Sequence, residues 1–588
     1  MLKDAHCGLL RKTDAGKVVT LCGWVHRRRD HGGLIFVDLR DRSGLVQVVF
    51  DPETSRENFA LAEKLRSEFC VRITGEVSIR PEGLENKEIA TGDIEVKAQK
   101  LEILSQSQVL PFAVDTRVDV DENVRLKYRY LDLRREELQK NLILRHNITK
   151  AVRDFLDNDG FLEIETPMLT KSTPEGARDY LVPSRVNPGS FYALPQSPQI
   201  FKQLLMVSGF EKYFQIARCF RDEDLRKDRQ PEFTQIDIEM SFIDEEDIYD
   251  LIERMFVYVF DKVLGIKLDA PFPRMPYAEA MERFGSDKPD TRFGMELVDL
   301  SDIARECGFK VFRDAVENGG QVKGLLVKGC ADYTRKQLDD LTLLAQELGA
   351  KGLAYILYKE DEVKSPIVKF FSEEEIGRIL ERMNAEKGDL ILFVADKKEV
   401  VAAVLGRLRL DLGEALGLIP HDKMNFLWIV DWPLLEWDSD EKRYVAVHHP
   451  FTSPKSPDFD KDPGNALAKA YDLVLNGVEL GGGSIRIHDA EVQSRLFRTL
   501  GISDEEAEEK FGFLLKAFKF GPPPHGGIAF GLDRMIWLLA GADSIRDVIA
   551  FPKTQKATCL LTEAPSSVDP RQLRELHIAS TVVKEKME

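Results

Sequence analysis

The sequence predicts a multidomain α+β protein. Its 588 residues exceed what one hydrophobic core usually holds. Short strand-like runs dominate residues 17–105, and helical and strand-like segments alternate between about Met281 and Pro420. The expected boundaries are 1–105 for an N-terminal barrel, 106–140 for a hinge, 141–285 and 421–560 for two parts of a larger domain, 286–420 for an inserted α/β domain and 561–588 for a C-terminal extension.

The N-terminal region reads as five short strands, with one helix-like run, NFALAEKLR, between the third and the fourth. This pattern is typical of a small Greek-key barrel of the OB type. The basic run Arg27 to Arg29 precedes the second strand, and Phe36 lies just inside that strand. Cations beside an aromatic ring suit single-stranded nucleic acid, although a basic turn on any surface barrel explains this stretch equally well.

The bulk composition is that of an ordinary globular protein, with 43% hydrophobic and 31% charged residues. The N-terminus has no signal-peptide pattern and no run of about 18 apolar residues occurs, so we expect a cytoplasmic protein without membrane contact. Seven scattered cysteines without a CxxC pair argue against a disulfide framework or a zinc site. The net charge of -18 disfavours nonspecific coating of nucleic acid. Residues 1–50 nevertheless hold nine Lys/Arg against five Asp, a balance of +4. A local basic surface on an acidic protein suits a partner that is bound at a few selected positions.

The stretch from Tyr213 to Phe242 reads as two strands joined by a charged loop. Arg221 and Glu223 share one face of the first strand by alternation. The same rule places on one face of the second strand Phe233, Gln235, Asp237 and Glu239. An arginine, three carboxylates, an amide and an aromatic ring suit a charged, planar, phosphate-bearing ligand. The alternative is a solvated face of an antiparallel sheet.

A long helical pattern, NLILRHNITKAVRDFLDNDG, precedes the first of these strands and ends at Gly160 in the manner of a C-cap. The strand-like run FLEIETPML follows, and Pro167 confines it to an edge or a bend. An amphipathic helix leading to an edge strand fits a dimer interface. Plain core packing explains it equally well.

Further polar groups stand at loops and helix entrances. Glu175 precedes Gly176 in a loop, and a helix entrance carries Gln196, Ser197, Gln199 and Lys202. These groups could converge on a small ligand, although Ser197 could simply cap the helix. His448 and His449 are adjacent, so in a strand they would point to opposite faces, and chelation of one metal by both is disfavoured.

Two glycine-rich segments follow. The run AYDLVLNGVELGGGSIRIHD carries Asp472, Glu479 and Arg486, and the last two would lie on opposite faces of a regular strand. We expect a bulge at Gly481 to Gly483 to bring them to one side. The run GPPPHGGIAFGLDRMIWLLAG reads as a loop, a strand and a helix beginning near Arg534, which is well placed for phosphate. It is neither a GxxxxGK[ST] loop nor a GxGxxG turn.

Together these segments resemble the class II aminoacyl-tRNA synthetases, and within them the bacterial aspartyl-tRNA synthetase family. The first family motif resembles the helix and strand that end at Pro167, the second resembles FRDE at 220–223 with PEFTQID, and the third resembles GGIAFGLDR at 526–534. The match runs along nearly the whole chain. The resemblance implies an antiparallel sheet flanked by helices, preceded by an anticodon-binding OB domain.

The resemblance also implies an activity and a set of partners. Such an enzyme activates L-aspartate with ATP to aspartyl-adenylate and then transfers aspartate to the 3′ end of tRNA. It implies a homodimer that uses Mg²⁺ with ATP and needs neither zinc nor an organic cofactor. The rivals are a related enzyme for asparagine or lysine, an RNA-binding module that has lost catalysis, and an asparagine-synthesising relative without the barrel. Arg486 and Lys202 favour an acidic substrate side chain.

Individual roles carry over by position. The implied ATP ligands are Arg221, Asp222, Glu223, Gln230, Phe233, Glu479, Gly531, Leu532, Asp533 and Arg534. Among them Arg221 and Arg534 are the implied catalytic residues, with Arg221 on the α-phosphate and Arg534 sandwiching adenine against Phe233. The implied aspartate ligands are Glu175, Gln199, Lys202, Arg221, Asp237, His448 and Arg486. Asp472 and Glu479 are implied to hold Mg²⁺.

The anticodon residues implied by the resemblance are Arg29, His31, Phe36, Gln47 and Gly83. Members strict for one tRNA commonly have Leu at the position of His31, whereas His there with Gly at position 83 is common in members that charge both tRNA(Asp) and tRNA(Asn). We therefore expect the non-discriminating form, which depends indirectly on a tRNA-dependent amidotransferase to convert Asp-tRNA(Asn). The alternative is an enzyme that charges tRNA(Asp) alone.

Overall fold

The structure is a computed structural model that describes residues 1–115, 118–173, 177–223 and 229–581. It divides into two compact units. The first comprises residues 1–146, 225–230 and 539–567, and the second comprises 147–224, 231–538 and 568–588. No helix among the described residues has the length and apolar character needed to cross a membrane.

The first unit begins with a closed barrel in the strand order β1-β2-β3-β5-β4, which confirms the predicted OB-type domain. Its elements are β1 (Val18–His31), β2 (Leu34–Asp41), β3 (Gly44–Phe50), α1 (Arg56–Ala62), β4 (Cys70–Ile79) and β5 (Ile94–Ser105). Alternate residues such as Leu21, Val37 and Ile73 are fully buried and fill the barrel. The Ser55 side chain accepts a hydrogen bond from Asn58 N and caps α1.

Three helices follow the barrel: α2 (Glu122–Lys127), α3 (Arg129–Asp132) and α4 (Glu136–Asn158). The segment expected to be a hinge is held by Arg129, whose buried guanidinium donates to Asp132 and to the carbonyls of Arg546, Ile549 and Ala550. Gly160 has φ +84°, as expected for the residue that ends the α4 region.

The second unit continues with elements that contain the predicted hairpin. They are β6 (Leu162–Glu163), β7 (Leu181–Pro183), β8 (Phe191–Ala193), α5 (Gln199–Val207), β9 (Lys212–Phe220), β10 (Glu232–Ser241), α6 (Glu245–Val259), β11 (Arg274–Pro276) and α7 (Tyr277–Phe284). β9 ends at Phe220, so Arg221 and Glu223 follow the strand rather than lying on it as predicted. The backbone explains this, because Asp222 N donates to the carbonyl of Arg178 instead of to β10.

The inserted region has the expected alternation of strands and helices. Its elements are β12 (Leu297–Asp299), α8 (Ser301–Glu306), α9 (Lys310–Glu317), β13 (Gln321–Val327), α10 (Arg335–Glu347), β14 (Ala354–Tyr358), β15 (Val363–Lys364), α11 (Glu373–Arg382), β16 (Asp389–Asp396) and α12 (Lys398–Ala415). The strands form a sheet in the order β12-β13-β16-β14-β15, and all of its pairings are antiparallel.

The last part of the chain completes the larger sheet. Its elements are β17 (Phe426–Val430), β18 (Leu435–Asp438), β19 (Arg443–Ala446), β20 (Ala470–Leu475), β21 (Val478–Ile485), α13 (Ala490–Thr499), α14 (Asp504–Ala517), β22 (His525–Gly531), α15 (Leu532–Ala540) and α16 (Pro570–Glu575).

An eight-stranded sheet in the order β11-β17-β20-β21-β22-β10-β9-β6 is the framework of the second unit. All its pairings are antiparallel except those of the short edge strands β11 and β6, which run parallel to their neighbours. Register places Asp237 opposite Ala529 and Glu239 opposite Gly527. The small residues of β22 leave room above the sheet for the acidic side chains of β10.

Candidate active site

Two acidic and two basic side chains meet in the interior of the second unit. Glu239 accepts two hydrogen bonds from Arg486, from Nε to Oε1 at 3.0 Å and from Nη2 to Oε2 at 3.2 Å. Lys202 Nζ lies 3.1 Å from both Glu239 Oε2 and Asp237 Oδ2. Each of the four residues is at most 4% exposed, so water screens these charges little.

Three N–H donors of the Arg486 guanidinium have acceptors within the protein. A guanidinium has five N–H donors, and Glu239 takes two of them. A third, on Nη1, is donated to Ser484 Oγ at 2.7 Å, and Ser484 Oγ lies 3.2 Å from Thr452 Oγ1. Within the described part of the chain two donors remain, one on each Nη nitrogen, and this pair matches the two oxygens of a ligand carboxylate.

Burial and charge move the pKa values of the two acids in opposite directions. Burial raises the pKa of Asp237 to about 6, although Lys202 opposes the shift. Burial also acts to raise the pKa of Glu239, but Arg486 and Lys202 outweigh it and lower that pKa to about 2. Glu239 is therefore a permanent anion, whereas Asp237 can change its charge. Asp237 Oδ1 is buried and has no hydrogen-bond partner among the described residues, so it can accept from a ligand.

Two histidines lie beside this group. They follow β19 in a bend instead of lying in a strand. Burial and then Arg486 lower the pKa of His448 to about 4, and burial with Arg486 and Lys202 lowers that of His449 to about 3. Both imidazoles are therefore neutral at neutral pH. Within the described part of the chain, the buried His448 Nε2 has no hydrogen-bond partner.

The bulge predicted at the three glycines is wrong, and the strand has a bulge immediately before them instead. Val474 pairs with Glu479 and Leu473 pairs with Gly481, so Leu480 is the extra residue. Pairing through the glycines is regular. Their small size serves another purpose, because a Cβ on Gly481 or Gly483 would collide with backbone carbonyls of β22. Because Val474 pairs with Glu479 and Asp472 pairs with Gly482, the bulge at Leu480 places Glu479 on the face that carries Asp472.

Asp472 and Glu479 form a second acidic group. Burial and then Glu479 raise the pKa of Asp472 well above its usual range. A Cβ on Gly482 would collide with Asp472 Oδ1, so a larger residue there would displace the Asp472 carboxylate. Arg534 Nη1 donates to the carbonyl of Glu479 at 3.0 Å and lies 3.9 Å from Glu479 Oε2. Across the described ranges, no group of three or more His, Cys, Asp and Glu side chains is arranged to hold a metal ion.

Arg221 faces the aromatic ring predicted to lie beside it. Its guanidinium carbon is 5.2 Å from the centroid of the Phe233 ring. Its buried Nε has no hydrogen-bond partner in the described ranges, and its backbone N donates to the carbonyl of Pro231 at 2.9 Å. The structure therefore positions a cation and a ring together at the start of β10.

Other predicted residues make contacts within the protein. Gln230 belongs to the first unit. Its Nε2 donates to the Lys553 carbonyl at 3.1 Å, and its Oε1 accepts from Lys553 N at 2.8 Å. Asp533 accepts from Thr234 N at 2.7 Å and so joins α15 to β10. Asp222 Oδ2 lies 3.7 Å from Arg178 Nε. Leu532 is buried and Gly531 pairs with Gln235. Glu175 lies outside the described residues.

The predicted anticodon residues lie on the barrel. Register places Phe36 opposite Arg29, whose Nη2 donates to Asp38 at 2.8 Å and to Gln47 at 3.4 Å. Gln47 donates in turn to Glu95 at 3.0 Å, a residue that sequence reasoning missed.

The exposed His31 is the last residue of β1 and lines a cavity of about 290 Å³ with Phe59 and Glu63. Gly83 has φ +84° and open space around it, so its backbone conformation favours glycine.

Glu239 is the central residue that the predicted ligand set omitted. It lay on the predicted face, two residues after Asp237, so the alternation that indicated Asp237 also pointed to it. The hydroxyl of Ser484 was omitted as well. Ser484 lies two residues before Arg486, so the same alternation pointed to it.

Comparisons with known proteins cover almost the whole chain. The model of the tRNA synthetases class II (D, K and N) matches residues 121–555, and that of the OB-fold nucleic acid binding domain matches residues 19–104. The aspartate–tRNA(Asp/Asn) ligase of Heliobacterium modesticaldum is 61% identical over 98% of this chain and 96% of that protein. That of Caldanaerobacter subterraneus subsp. tengcongensis is 61% identical over 98% of both chains.

Solved structures share the fold at lower identity. Asparaginyl-tRNA synthetase from Pyrococcus horikoshii, complexed with asparaginyl-adenylate, has a TM-score of 0.59 at 19% identity and covers 94% of this chain and 99% of its own. Aspartyl tRNA synthetase from Entamoeba histolytica has a TM-score of 0.56 at 19% identity and covers 92% of this chain and 89% of its own. At such identities the likeness shows the fold alone.

Proposed function

Because this chain belongs to the class II tRNA synthetases of the D, K and N group, we propose that it is an aspartate–tRNA ligase that charges both tRNA(Asp) and tRNA(Asn). The enzyme joins L-aspartate to the 3′ end of tRNA at the expense of ATP, in the cytoplasm. The pairing of Glu239 with Arg486 and Lys202 is the observation that carries the choice of amino acid.

The substrate side chain binds to the cationic part of this group. Glu239 offsets one of the two positive charges, and Arg486 retains one donor on each Nη nitrogen. A carboxylate accepts from both of these donors, and ionised Asp237 offsets the charge of Lys202. The amide of asparagine would turn an NH₂ group towards donors and leave them unpaired, which favours aspartate over asparagine by several kcal/mol.

The substrate ammonium binds at the other side of the group. Asp237 Oδ1 is a buried acceptor without a partner among the described residues, and Gln199 and Glu175 complete the proposed ammonium ligands. The neutral His448 adds a polar contact without adding charge. These assignments leave the substrate α-carboxylate directed at ATP.

Activation needs no nucleophilic side chain. An oxygen of the aspartate α-carboxylate attacks the α-phosphorus of ATP, the bond from that phosphorus to pyrophosphate breaks, and aspartyl-adenylate forms. A terminal ribose hydroxyl of tRNA then attacks the acyl carbon, and AMP leaves. Arg221 and Arg534 neutralise the charge that develops on the phosphates, while Phe233 supports the adenine ring, so the rate comes from positioning and electrostatics.

Asp472 and Glu479 fit a divalent cation. Burial and mutual repulsion raise the pKa of Asp472, and a bound cation would relieve that repulsion. When bound, Mg²⁺ would offset negative charge on the ATP phosphates. Arg534 orients this acidic pair through its bond to the Glu479 carbonyl.

The barrel face of Arg29, Phe36 and Gln47 is proposed to read the anticodon. Arginine and amide groups supply hydrogen bonds to base edges, and the ring supplies a stacking surface. The two anticodons differ only in their last base, which we assign to the region of His31 and Gly83. An imidazole can donate or accept, so it tolerates either base, and a separate tRNA-dependent amidotransferase would convert Asp-tRNA(Asn).

A homodimer is proposed through the β6 edge of the eight-stranded sheet. Leu162 and Glu163 of β6 are exposed, and the nearby Met168 and Leu169 are 37% and 53% exposed. An exposed apolar edge strand is an unusual surface for a monomer. Sedimentation at micromolar concentration tests this, since a monomer would contradict it.

Two assays test the function. Purified protein is expected to exchange pyrophosphate into ATP with aspartate and much less with asparagine or lysine. It is then expected to aminoacylate tRNA(Asp) and tRNA(Asn) transcripts at comparable kcat/KM. Absence of aspartate-dependent exchange would refute the activity, whereas charging of tRNA(Asp) alone would refute only the dual specificity.

A further inference from the structure

Two buried residues lie behind Gln199 and connect it to β22. Gln203, one turn further along α5, and His525, at the start of β22, are both fully buried. Gln199 Nε2 donates to Gln203 Oε1 at 3.2 Å, and Gln203 Nε2 lies 3.2 Å from His525 Nε2. His525 Nδ1 lies 2.8 Å from the carbonyl oxygen of Pro523.

The direction of each hydrogen bond follows from this last contact. A carbonyl oxygen only accepts, so His525 Nδ1 carries a hydrogen. Burial lowers the pKa of His525, so the ring is neutral at neutral pH and its Nε2 is an acceptor. Gln203 must then donate through Nε2, which leaves its Oε1 to accept from Gln199.

The outcome for Gln199 is one fixed orientation of its amide. One N–H of its NH₂ group is committed to Gln203, whereas its Oε1 accepts no hydrogen bond from the described residues. An amide without such a partner can turn by 180° at little cost, because its oxygen and nitrogen have the same shape. The chain of bonds removes that freedom.

We infer that Gln203 and His525 are positioning residues for the amino-acid substrate, because they hold Gln199 with its Oε1 turned towards the substrate ammonium. This inference rests on the proposed function. In the opposite orientation, Gln199 would present an NH₂ group to a positively charged ligand. The positive charge of Lys202 repels the substrate ammonium, so the ammonium needs each hydrogen-bond acceptor in this part of the site.

Substitution Gln203→Met tests the inference, since methionine has a similar volume and no hydrogen-bonding group. The KM for aspartate in pyrophosphate exchange should rise about tenfold or more, which corresponds to about 1.4 kcal/mol of binding. The KM for ATP should stay within about twofold of the parent value. Gln321→Met is the matched control, because Gln321 is a buried amide of β13, in the inserted region, and should leave both KM values unchanged.

A double-mutant cycle separates positioning from a general loss of structure. In a Gln199→Met background, Gln203→Met should cause no further rise in the KM for aspartate, because the residue it acts through is gone. If Gln203→Met does not fold, as judged by thermal unfolding, Gln203→Asn replaces it. That amide is too short to reach both partners, and the same rise is expected.

The outcomes are distinct. If the parent protein is active, two results overturn the role of Gln203 and His525 and leave the proposed function intact. One is an unchanged KM for aspartate in the Gln203 variants, and the other is additive effects of Gln199→Met and Gln203→Met on that KM. A parent protein without aspartate-dependent exchange overturns both.

Discussion

Glu239 and Arg486 form a buried ion pair with two parallel hydrogen bonds, at 3.0 and 3.2 Å, and Lys202 lies 3.1 Å from the same carboxylate. Such a carboxylate organises two cations at once. Its removal leaves Arg486 without a counter-charge and Lys202 with Asp237 alone, in a region that excludes water, which is more costly than loss of an exposed pair.

Glu239→Gln should therefore reduce both stability and activity. We expect the free energy of unfolding in urea to fall by about 3 kcal/mol, because the buried Arg486 loses its counter-charge and Lys202 keeps only Asp237. The control is Glu279→Gln, which breaks an exposed pair with Arg283 and should cost under about 1 kcal/mol. Equal losses for the two variants would contradict the central role of Glu239.

Arg486→Lys should impair aspartate activation although it preserves the charge. An ammonium cannot donate to Glu239, Ser484 and a substrate carboxylate in the planar arrangement of a guanidinium. We expect kcat/KM for aspartate in pyrophosphate exchange to fall at least about a hundredfold, or about 2.7 kcal/mol. Near-normal kcat/KM would place the substrate carboxylate elsewhere. Arg407→Lys is the control, since Arg407 pairs with Asp411 on the surface of α12.

The two acids of β10 should affect pH dependence with opposite sign. The pKa of Asp237 is raised from 3.8 to about 6, so its contribution to stability falls as pH rises through that interval and is constant above it. The pKa of Glu239 is lowered from 4.5 to about 2, so its contribution is present above pH 4.5 and is lost as pH falls towards 2.

A kinetic consequence follows for the substrate. Ionised Asp237 is the form that binds an ammonium, so kcat/KM for aspartate should decline as pH falls through about 6. A profile between pH 5 and 8 measures this decline. Asp237→Asn should lower the whole profile and remove the decline. A decline that persists in that variant must come from another group.

Gly482→Ala should weaken ATP binding more than aspartate binding. The added methyl group would collide with Asp472 Oδ1 and displace the acidic pair proposed to hold Mg²⁺. We expect the KM for ATP to rise about tenfold, with a smaller change in the KM for aspartate. Gly377→Ala is the control, because Gly377 lies in α11 with open space around it. An unchanged KM for ATP would contradict the proposed metal position.

His31→Leu should change the choice of tRNA without changing activation. The imidazole is the group proposed to accept both bases, and members strict for one tRNA commonly have Leu at this position, so the ratio of kcat/KM for tRNA(Asn) to that for tRNA(Asp) should fall about tenfold. Pyrophosphate exchange without tRNA should be unaffected. A parallel loss with both tRNAs would mean that His31 supports binding but not the distinction.

Sequence patterns indicated the local elements well and the long-range register poorly. Alternation located the barrel strands and the acidic face of β10, because burial on one face imposes a period of two. The bulge was misplaced because the pairs Leu475–Val478 and Val474–Glu479, next to the turn between β20 and β21, set the register before the glycines and make Leu480 the extra residue. The glycines are required by the neighbouring carbonyls of β22, and that contact joins segments more than forty residues apart in the chain. The Arg486 and Glu239 pair is separated by still more, so only folding reveals it.

The bonds of Arg129 have a consequence for biosynthesis. Its guanidinium needs the carbonyls of Arg546, Ile549 and Ala550, which leave the ribosome some four hundred residues after it. At typical elongation rates that interval is on the order of tens of seconds. Until the chain is almost complete, the Arg129 guanidinium therefore lacks these three carbonyl acceptors. A prematurely terminated product would retain a finished barrel, but its Arg129 would keep only the bond to Asp132 and lack the three carbonyl acceptors.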